Sequence, residues 1–353
     1  MRRLGILVVV AVPLAVASPA RAEQIQPLNP SAHPSGSLLL RFRDRVVDRP
    51  RASAALSRHA LTRTYTTPDG VPIEVTTSPS VSGDAQSYVN FLGSRLHGDE
   101  LTLLRVYIGT PSEISAACGG GQEVLACYSR SERRMYVPDR DPSNGGPFTR
   151  DYAVTHEYGH HIASYRSNFP FSAINWGAKY WASYEHVCAG VDNHLFYPGN
   201  QDEHYLDDPG EGFADAYAHL HYPQVVWQFN PLLAPDAGAF AAIRRDVLDP
   251  WRVPRRRQVR RWLGASRRSA QTRVVAILDG ELAVRLLSPR GARYDLELRN
   301  HGRLVRRVGG RARTKRTTAI ICRDSTAATA TADLRVVRRA GSGRFTLTFD
   351  YPG

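Results

Sequence analysis

The segment His156-Glu157-Tyr158-Gly159-His160 combines two imidazoles and a carboxylate at a spacing that suits metal-assisted hydrolysis. On a helix, residues four apart lie on one face, so His156 and His160 can bind the same ion. Glu157 lies about a quarter turn away, close enough to reach a water on the ion without binding the ion itself. Zinc lowers the pKa of such a water and polarises a carbonyl, while a carboxylate takes the proton. The pattern therefore predicts one catalytic zinc ion, with Glu157 as general base.

A catalytic zinc site has three protein ligands and an open position, so a third ligand must come from elsewhere in the chain. The position of a third histidine in the extended form of the motif is occupied by Arg166. Further on, Asp208 is a favourable N-cap, and the helix that it starts puts Glu211 and Asp215 on one face. One of these two carboxylates is positioned to bind zinc, and the other to accept the free ring N–H of a ligand histidine. A capping box between Asp208 and Glu211 is the alternative role for Glu211.

These two segments resemble the gluzincins, the thermolysin-like class of metallopeptidases, in which His-Glu-x-x-His is followed on a later helix by Glu-x-x-x-Asp. The resemblance implies that His156, His160 and Glu211 bind the zinc. It also implies that Glu157 is the general base and that Asp215 is the hydrogen-bond partner of a ligand histidine. The likeness is confined to these motifs and to an order of strands, edge strand and helix over about residues 64–220.

Other polar residues near Glu211 are candidates for the same site. The reserve ligands, on a loop that could fold back, are His194, Glu203 and His204. Gluzincins also use a Tyr or His to stabilise the oxyanion, and the residues near Glu211 that could do so are Tyr205, Tyr217 and His221. The sequence does not select among the three.

The elements that would position the site follow from periodicity and turn signals. Thr149 is a favourable N-cap for the helix of the first motif. Upstream, the sequence predicts a hairpin over 64–77 turning at Asp69-Gly70, a helix from Asp84 to Gly98, a buried strand over 101–108 and an edge strand over 134–137. An extended substrate would pair with the edge strand near Met135. The fold class expected is an α+β zincin-like metallopeptidase domain followed by a small all-β sandwich.

Composition divides the chain into five parts. Arg2 and Arg3, an apolar run and Ala20-Arg21-Ala22 predict a signal peptide over 1–22, because the run is too short to span a bilayer. Residues 23–60 are a leader or pro-segment, or else the first strand and helix of the main domain. The remaining parts are a zinc metallopeptidase domain over 61–250, an Arg/Pro-rich linker over 251–270 and a β-sandwich accessory domain over 271–353.

The C-terminal region resembles the β-sandwich appended to secreted bacterial peptidases, the pre-peptidase C-terminal domain. The segments that carry the resemblance are Tyr294-Asp295-Leu296-Glu297-Leu298 and the closing stretch from Gly341 to Phe349. The resemblance implies an accessory role in stabilising or targeting the enzyme, or removal on maturation.

Export would make the four cysteines disulfide candidates. Cys118 and Cys127 flank Gly119-Gly120-Gly121, a flexible loop that closes at small entropic cost, so we expect them to pair locally. By elimination, Cys188 and Cys322 would form a long-range bridge. Two free buried thiols are the alternative.

The charge of the chain is unevenly distributed. Residues 23–250 hold 18 Lys and Arg against 26 Asp and Glu, a net of −8, whereas residues 251–353 hold 25 against 7, a net of +18. The basic part predicts attraction to an anionic cell-wall or membrane surface, although a solvated Arg-rich face gives the same count. Aromatic residues are sparse among these arginines and no nucleic-acid motif occurs, so the sequence does not indicate nucleic-acid binding.

Taken together, the sequence predicts a secreted zinc-dependent endopeptidase that acts on protein or peptide substrates. An amidase of cell-wall peptides would use the same site. A non-catalytic cell-surface binding protein with a structural or vestigial zinc is the alternative from another class, but a structural site has no need of Glu157. Cleavage preference and oligomeric state do not follow from the sequence.

Overall fold

A computed structural model describes residues 23–24, 44–50, 60–119, 124–141, 149–300, 302–324 and 327–353. The predicted signal peptide, 1–22, lies outside these residues. Within them, a mixed α/β region is followed by two antiparallel four-stranded sheets. No helix in the described ranges is long and apolar enough to cross a membrane.

The α/β region is built on a six-stranded mixed sheet. The strands before residue 250 are β1 (Glu23–Gln24), β2 (Val46–Val47), β3 (Leu61–Thr66), β4 (Pro72–Thr77), β5 (Val81–Ser82), β6 (Arg105–Gly109), β7 (Cys127–Ser129) and β8 (Arg134–Pro138). The order across the sheet is β2-β7-β8-β6-β4-β3, and β1 pairs separately with β5. β3 and β4 form the predicted hairpin, in whose turn Gly70 has a φ of +93°.

The helices of this region lie between and after these strands. They are α1 (Gln86–Gly93), α2 (Pro111–Cys118), α3 (Arg150–Ser164), α4 (Ala173–Trp176), α5 (Lys179–Tyr184), α6 (Val187–Asp192), α7 (Pro209–His221) and α8 (Ala237–Leu248), with 3-10 turns at Asp99–Leu103, Tyr205–Asp207 and Pro231–Leu233. The Thr149 side chain accepts a hydrogen bond from the backbone N–H of Tyr152, so α3 begins at the predicted cap. α3 carries the first motif, and α7 carries Glu211 and Asp215.

Three predictions about the upstream elements need correction. β8 is paired with β6 on one side and with β7 on the other, so the prediction of an edge strand near Met135 is wrong. The chain turns back after Ser129 and adds β7 to that side. The buried strand expected over 101–108 begins only at Arg105, because the Glu100 carboxylate accepts a hydrogen bond from the N–H of Gly98 and fixes a 3-10 turn. α1 ends at Gly93 and not at Gly98.

Helices α3 and α7 approach each other closely at Gly159. A Cβ atom at this position would lie 2.8 Å from Ala214 Cα and 3.0 Å from the Ala214 carbonyl oxygen. A glycine inside a helix costs about 1 kcal/mol relative to alanine. The absence of a side chain at Gly159 permits a helix contact that no larger residue allows. This contact brings α3 and α7, which carry the two motifs, together.

The buried residue Glu100 makes a further set of contacts to α3. Its carboxylate accepts a hydrogen bond from the Tyr158 hydroxyl at 2.8 Å and pairs with Arg166. His161 Nε2 lies 2.8 Å from the Glu100 carbonyl oxygen, and Nδ1 lies 3.1 Å from the Tyr128 hydroxyl. Burial lowers the pKa of His161 to about 4, so its ring is neutral and serves in packing.

The C-terminal region is sandwich-like. One sheet has the order β10 (Ser269–Ala276), β15 (Ala330–Ala340), β12 (Arg293–Asn300) and β13 (Arg303–Val308), and the other β14 (Thr314–Ile321), β11 (Gly280–Leu287), β16 (Gly343–Tyr351) and β9 (Arg255–Leu263). Alternate residues of the strands enter one apolar core, as Leu282, Val284 and Leu286 do from β11.

The linker predicted over 251–270 is wrong for residues 255–263, because they form β9 and pair with β16 along its whole length. β9 lies at the edge of its sheet, and only Leu263 in it is buried. Its first four residues are all exposed, and burial alternates only from Val259 to Leu263, where Arg261 takes one of the more buried positions, so apolar residues alone do not reveal the strand. Arginine at an exposed edge also opposes edge-to-edge association.

Both predicted disulfide bonds are present. Cys118–Cys127 joins α2 to β7, although residues 120–123 of the intervening loop lie outside the described part. Cys188–Cys322 spans 134 residues and joins α6 to the residue after β14, so it connects the two regions. Two disulfide bonds indicate an oxidising environment.

Candidate metal centre

Four buried side chains, from α3, α7 and the segment before β2, converge on one point. They are Asp44, His156, His160 and Glu211, and their potential ligand atoms all lie within 4.8 Å of one another. None of the four is more than 2% exposed. Two imidazoles and two carboxylates are a donor set that could hold a metal ion.

The distances between the histidine nitrogens and the carboxylate oxygens of this group are close to those around a tetrahedral ion. His160 Nε2 lies 3.2 Å from Glu211 Oε2 and 3.0 Å from Asp44 Oδ2. His156 Nε2 lies 3.4 Å and 3.5 Å from the same two oxygens. Ligand atoms 2.0–2.1 Å from a tetrahedral zinc are about 3.3 Å apart. The four distances between a histidine nitrogen and a carboxylate oxygen are therefore close to those of such an ion.

The position of Glu211 decides between the two roles that the sequence left open. A capping box would join its carboxylate to the backbone N–H of Asp208. Instead, the Asp208 carboxylate accepts from the N–H of Gly210 at 2.9 Å, and Glu211 Oε2 faces the two histidines. The second oxygen of Glu211 accepts a hydrogen bond from Gln201 Nε2 at 2.9 Å. The capping box therefore does not form, and Glu211 belongs to the group that could hold a metal ion.

Asp215 lies one turn further along α7, beside the other nitrogen of His156. Its Oδ1 is 3.4 Å from His156 Nδ1 and accepts a hydrogen bond from the Tyr152 hydroxyl at 2.5 Å. The Tyr152 hydroxyl also lies 3.0 Å from His219 Nδ1. A carboxylate behind a ligand histidine fixes its tautomer and ring orientation, so Asp215 holds His156 with Nε2 directed at the centre.

Glu157 has an unusual environment for a carboxyl group. It is fully buried, and neither of its oxygens has a hydrogen-bond partner within the described residues. Burial raises its pKa well above the usual range and the carboxylate of Asp44 adds to the shift, whereas positive charge on His160 and His156 opposes it. A buried polar group without a partner destabilises the fold, so packing does not explain this one.

The charges of the centre are arranged for a cation. Burial opposes protonation of His160, but Glu211 and Asp44 outweigh it and raise the pKa of His160 to about 10. Asp44 and Asp215 likewise overcome burial and raise the pKa of His156 well above its ordinary value. A metal ion would replace these protons, so its binding is coupled to proton release.

The other candidates from the sequence lie elsewhere. His194 and Glu203 are exposed, and His204 stacks on Tyr197, so none of the three reserve ligands joins the group. The Tyr217 hydroxyl donates to the Leu96 carbonyl oxygen, and His221 lies 3.4 Å from the Leu96 nitrogen. Only Tyr205, of the three oxyanion candidates, contacts the group, since its hydroxyl donates to Asp44 Oδ1 at 2.7 Å.

Asp44 is the member of the centre that sequence reasoning missed. It belongs to the segment 23–60, which the sequence left open as a pro-segment or the start of the main domain, and no motif surrounds it. The available signal was that Asp44 is the single acidic residue between Arg41 and Val47. A lone carboxylate in a basic stretch is a weak indication of a ligand.

Comparisons with known proteins do not assign a family. No protein-family profile and no curated protein matches the sequence. The pre-peptidase C-terminal domain of a collagenase from Bacillus anthracis is 9% identical, with 26% of this chain and 85% of that chain covered and a TM-score of 0.23. The Yersinia pseudotuberculosis-derived mitogen is 12% identical, with 28% and 87% covered and a TM-score of 0.21.

Proposed function

We propose that the protein is a zinc-dependent peptidase of the gluzincin type. In this proposal His156, His160 and Glu211 bind the zinc, and Glu157 is the general base. The observation that carries it is the Glu157 carboxyl group, which is fully buried beside the metal ligands and has no hydrogen-bond partner within the described residues. A proton-transfer role explains a carboxyl group that neither binds the ion nor supports the fold.

Each residue of the site then has a defined task. A zinc ion held by the three ligands would lower the pKa of a water and polarise the peptide carbonyl. Glu157 takes a proton as the water oxygen bonds to the carbonyl carbon, and it returns the proton to the amine nitrogen as the C–N bond breaks. Asp215 keeps the ring of His156 in place.

Tyr205 is the best candidate for the oxyanion donor. Burial raises its pKa well above its usual value, and the charges of Asp44 and Glu211 add to the effect, so its hydroxyl remains protonated and able to donate. Among the three oxyanion candidates, Tyr205 is the residue whose side chain contacts the centre, through Asp44. A donor aimed at a developing oxyanion contributes several kcal/mol to catalysis.

The general base is tested by Glu157→Gln. We expect it to abolish hydrolysis of casein and of a small peptide while leaving about one zinc per chain, because Glu157 does not coordinate. The matched control is Glu203→Gln, an exposed glutamate of the nearby loop, which should change neither property. Glu157→Gln and Glu203→Gln are each made in the wild-type protein and in the Asp44→Ala variant, because Asp44 lies against the proposed ligands. Near-wild-type hydrolysis by Glu157→Gln in both backgrounds would refute the mechanism.

One observation favours a second function. With Asp44 the centre has four buried protein donors, and a closed tetrahedral set is typical of structural zinc. If the ion is structural, Glu157→Gln should leave every measured property unchanged, and removal of the metal should unfold the α/β region. If the ion is catalytic, metal removal should abolish hydrolysis with a smaller loss of structure.

Secretion is also part of the proposal. It is supported by the two disulfide bonds and by the predicted signal sequence. Expression of the full chain in a secreting bacterial host should release the protein into the medium with its first residue at Glu23 or later. Retention of Met1 on soluble protein inside the cell would refute this part of the proposal.

A further inference from the structure

Asp44 is positioned in the centre as closely as the proposed ligands are. Its Oδ2 lies 3.0 Å from His160 Nε2 and 3.5 Å from His156 Nε2, and the corresponding distances for Glu211 are 3.2 Å and 3.4 Å. The Asp44 side chain is fully buried. A catalytic ion needs one position open to water and substrate, and Asp44 would occupy the fourth position of an ion held here.

The segment around Asp44 is attached to the loop that precedes α7. The Tyr205 hydroxyl donates to Asp44 Oδ1 at 2.7 Å. Gln201 connects the segment to a proposed ligand, since its Oε1 accepts from the Val46 N–H at 3.1 Å and its Nε2 donates to Glu211 at 2.9 Å. The segment is therefore linked to the metal centre by the side chains of Tyr205 and Gln201, and each of these links consists of one or two hydrogen bonds.

The same segment covers an edge of the main sheet. β2, residues Val46–Val47, pairs in parallel with Tyr128 and Ser129 of β7, so β2 and not β7 is the outer strand on this side. Peptide ligands commonly add a strand to such an edge. Residues 44–47 thus place Asp44 in the group that could hold a metal ion and also occupy a strand-pairing position beside it.

Residues 44–47 contribute little to the buried apolar cores of the α/β region. The main apolar core of this region begins at Ile73, and Val46 is only partly buried against it. Val47 is likewise only partly buried against the smaller cluster around Tyr107 and Cys127. The ion pair between Arg45 and Asp202 is exposed, and exposed pairs contribute little to stability. Residues 44–47 could leave their site while the core remains intact.

We propose that residues 44–47 are an autoinhibitory segment, with Asp44 as a removable fourth ligand, and that this chain is a latent form of the enzyme. The inference rests on the proposed function, because latency has meaning only for a catalytic ion. It also gives the leader a role: displacement of residues 44–47 would free a metal position, the β7 edge and the Tyr205 hydroxyl together.

The experiment uses full-length protein loaded with Co²⁺, whose visible spectrum reports the coordination of the ion. Acetohydroxamate is the probe, since it is a small bidentate ligand that requires an open position. The wild-type spectrum should not respond to it. Asp44→Ala should keep about one Co²⁺ per chain on its three remaining ligands, and its spectrum should shift on addition of the probe. Hydrolysis of a small peptide by the zinc form should rise roughly tenfold or more.

Two further variants separate latency from general damage. Asp48→Ala removes an exposed acid four residues away, whose structural contacts are made by its backbone oxygen, and should behave as wild type. Val46→Pro removes the N–H that donates to Gln201 while leaving Asp44 in the chain, and should give a partial response to the probe. This variant keeps the test valid if Asp44→Ala fails to fold.

The outcomes distinguish this inference from the proposed function. A wild-type spectrum that responds to acetohydroxamate as strongly as that of Asp44→Ala would overturn latency. Loss of Co²⁺ from Asp44→Ala, under conditions that saturate wild type, would also overturn it, because Asp44 would then be an integral ligand of a closed site. A response to the probe without any hydrolysis would uphold the removable ligand and overturn the peptidase.

Discussion

The approach of α3 to α7 makes Gly159→Ala an informative perturbation. The added methyl group would meet backbone atoms of Ala214 at 2.8 Å and 3.0 Å, and backbone cannot rotate away as a side chain can. The two helices must therefore separate by a few tenths of an ångström. Because α3 carries both histidines and α7 carries Glu211, this separation acts directly on the metal centre.

The expected magnitude is the difference between two effects. Overpacking a close contact costs about 1–3 kcal/mol, and an obstacle of backbone atoms puts Gly159→Ala near the upper end. Replacing glycine by alanine in a helix returns about 1 kcal/mol. We expect a net loss of about 2 kcal/mol in the free energy of unfolding. We also expect a fall in zinc affinity of roughly tenfold, or about 1.4 kcal/mol, because Glu211 moves away from its partners.

The assay pairs urea unfolding of the metal-free protein with a competitive zinc titration. Gly212→Ala is the matched control, since Gly212 is a helical glycine next to Glu211. A Cβ there meets only Leu233 Cδ1 closely, at 2.9 Å, and the end of a leucine side chain can rotate. Gly212→Ala should be neutral or slightly stabilising and should bind zinc as wild type does. If the two variants have equal stability and equal zinc affinity, the reasoning from helix contact to metal geometry is refuted.

Three further predictions concern other parts of the molecule. Replacing Cys188 and Cys322 by serine should lower the free energy of unfolding by about 5 kcal/mol, because the bond closes a loop of 134 residues. The same change at Cys118 and Cys127, whose loop spans 9 residues, should cost about 2.6 kcal/mol. Equal losses in urea unfolding would contradict the chain-entropy argument. Burial raises the pKa of Asp246 to about 7, although the N–H groups of Tyr180 and Trp181 oppose the shift. The folded state therefore holds this proton more tightly than the unfolded state does. The free energy of unfolding should fall as the pH rises from about 4 to 7. Asp246→Asn should flatten that part of the pH profile of urea unfolding, and an unchanged slope would count against the assignment. Finally, replacing the exposed Arg255, Arg257 and Arg260 of β9 by glutamine should weaken the binding of the full chain to anionic vesicles, and added salt should weaken it too. If neither salt nor these changes affect binding, the arginines only form a solvated surface.

The parts of the site that the sequence predicts are those that local spacing determines. His156 and His160 share a face because they are four apart on a helix, and the same spacing places Glu211 with Asp215. Thr149 caps α3 because its hydroxyl needs only the adjacent backbone N–H groups. Each of these relations lies within one or two turns of a helix.

The parts that the sequence does not predict depend on contacts between distant segments. Asp44 meets His160 across 116 residues, and nothing in the pattern around Asp44 records that contact. Whether β8 is an edge strand depends on a three-residue partner, β7, that is too short to show alternation. β9 is identified by its pairing with β16, because only its last five residues alternate in burial and one of the more buried positions holds Arg261.

The Cys188–Cys322 bond has a consequence for any processing between the two regions. Residues 249–254 join them, are exposed apart from Pro250 and Trp251, and lie inside the loop that the bond closes. A single proteolytic nick there would leave both fragments covalently attached, as one band on a non-reducing gel and two after reduction. Shedding of the basic C-terminal region would therefore require a reductant as well as a protease, and its loss would leave Cys188 as a free thiol.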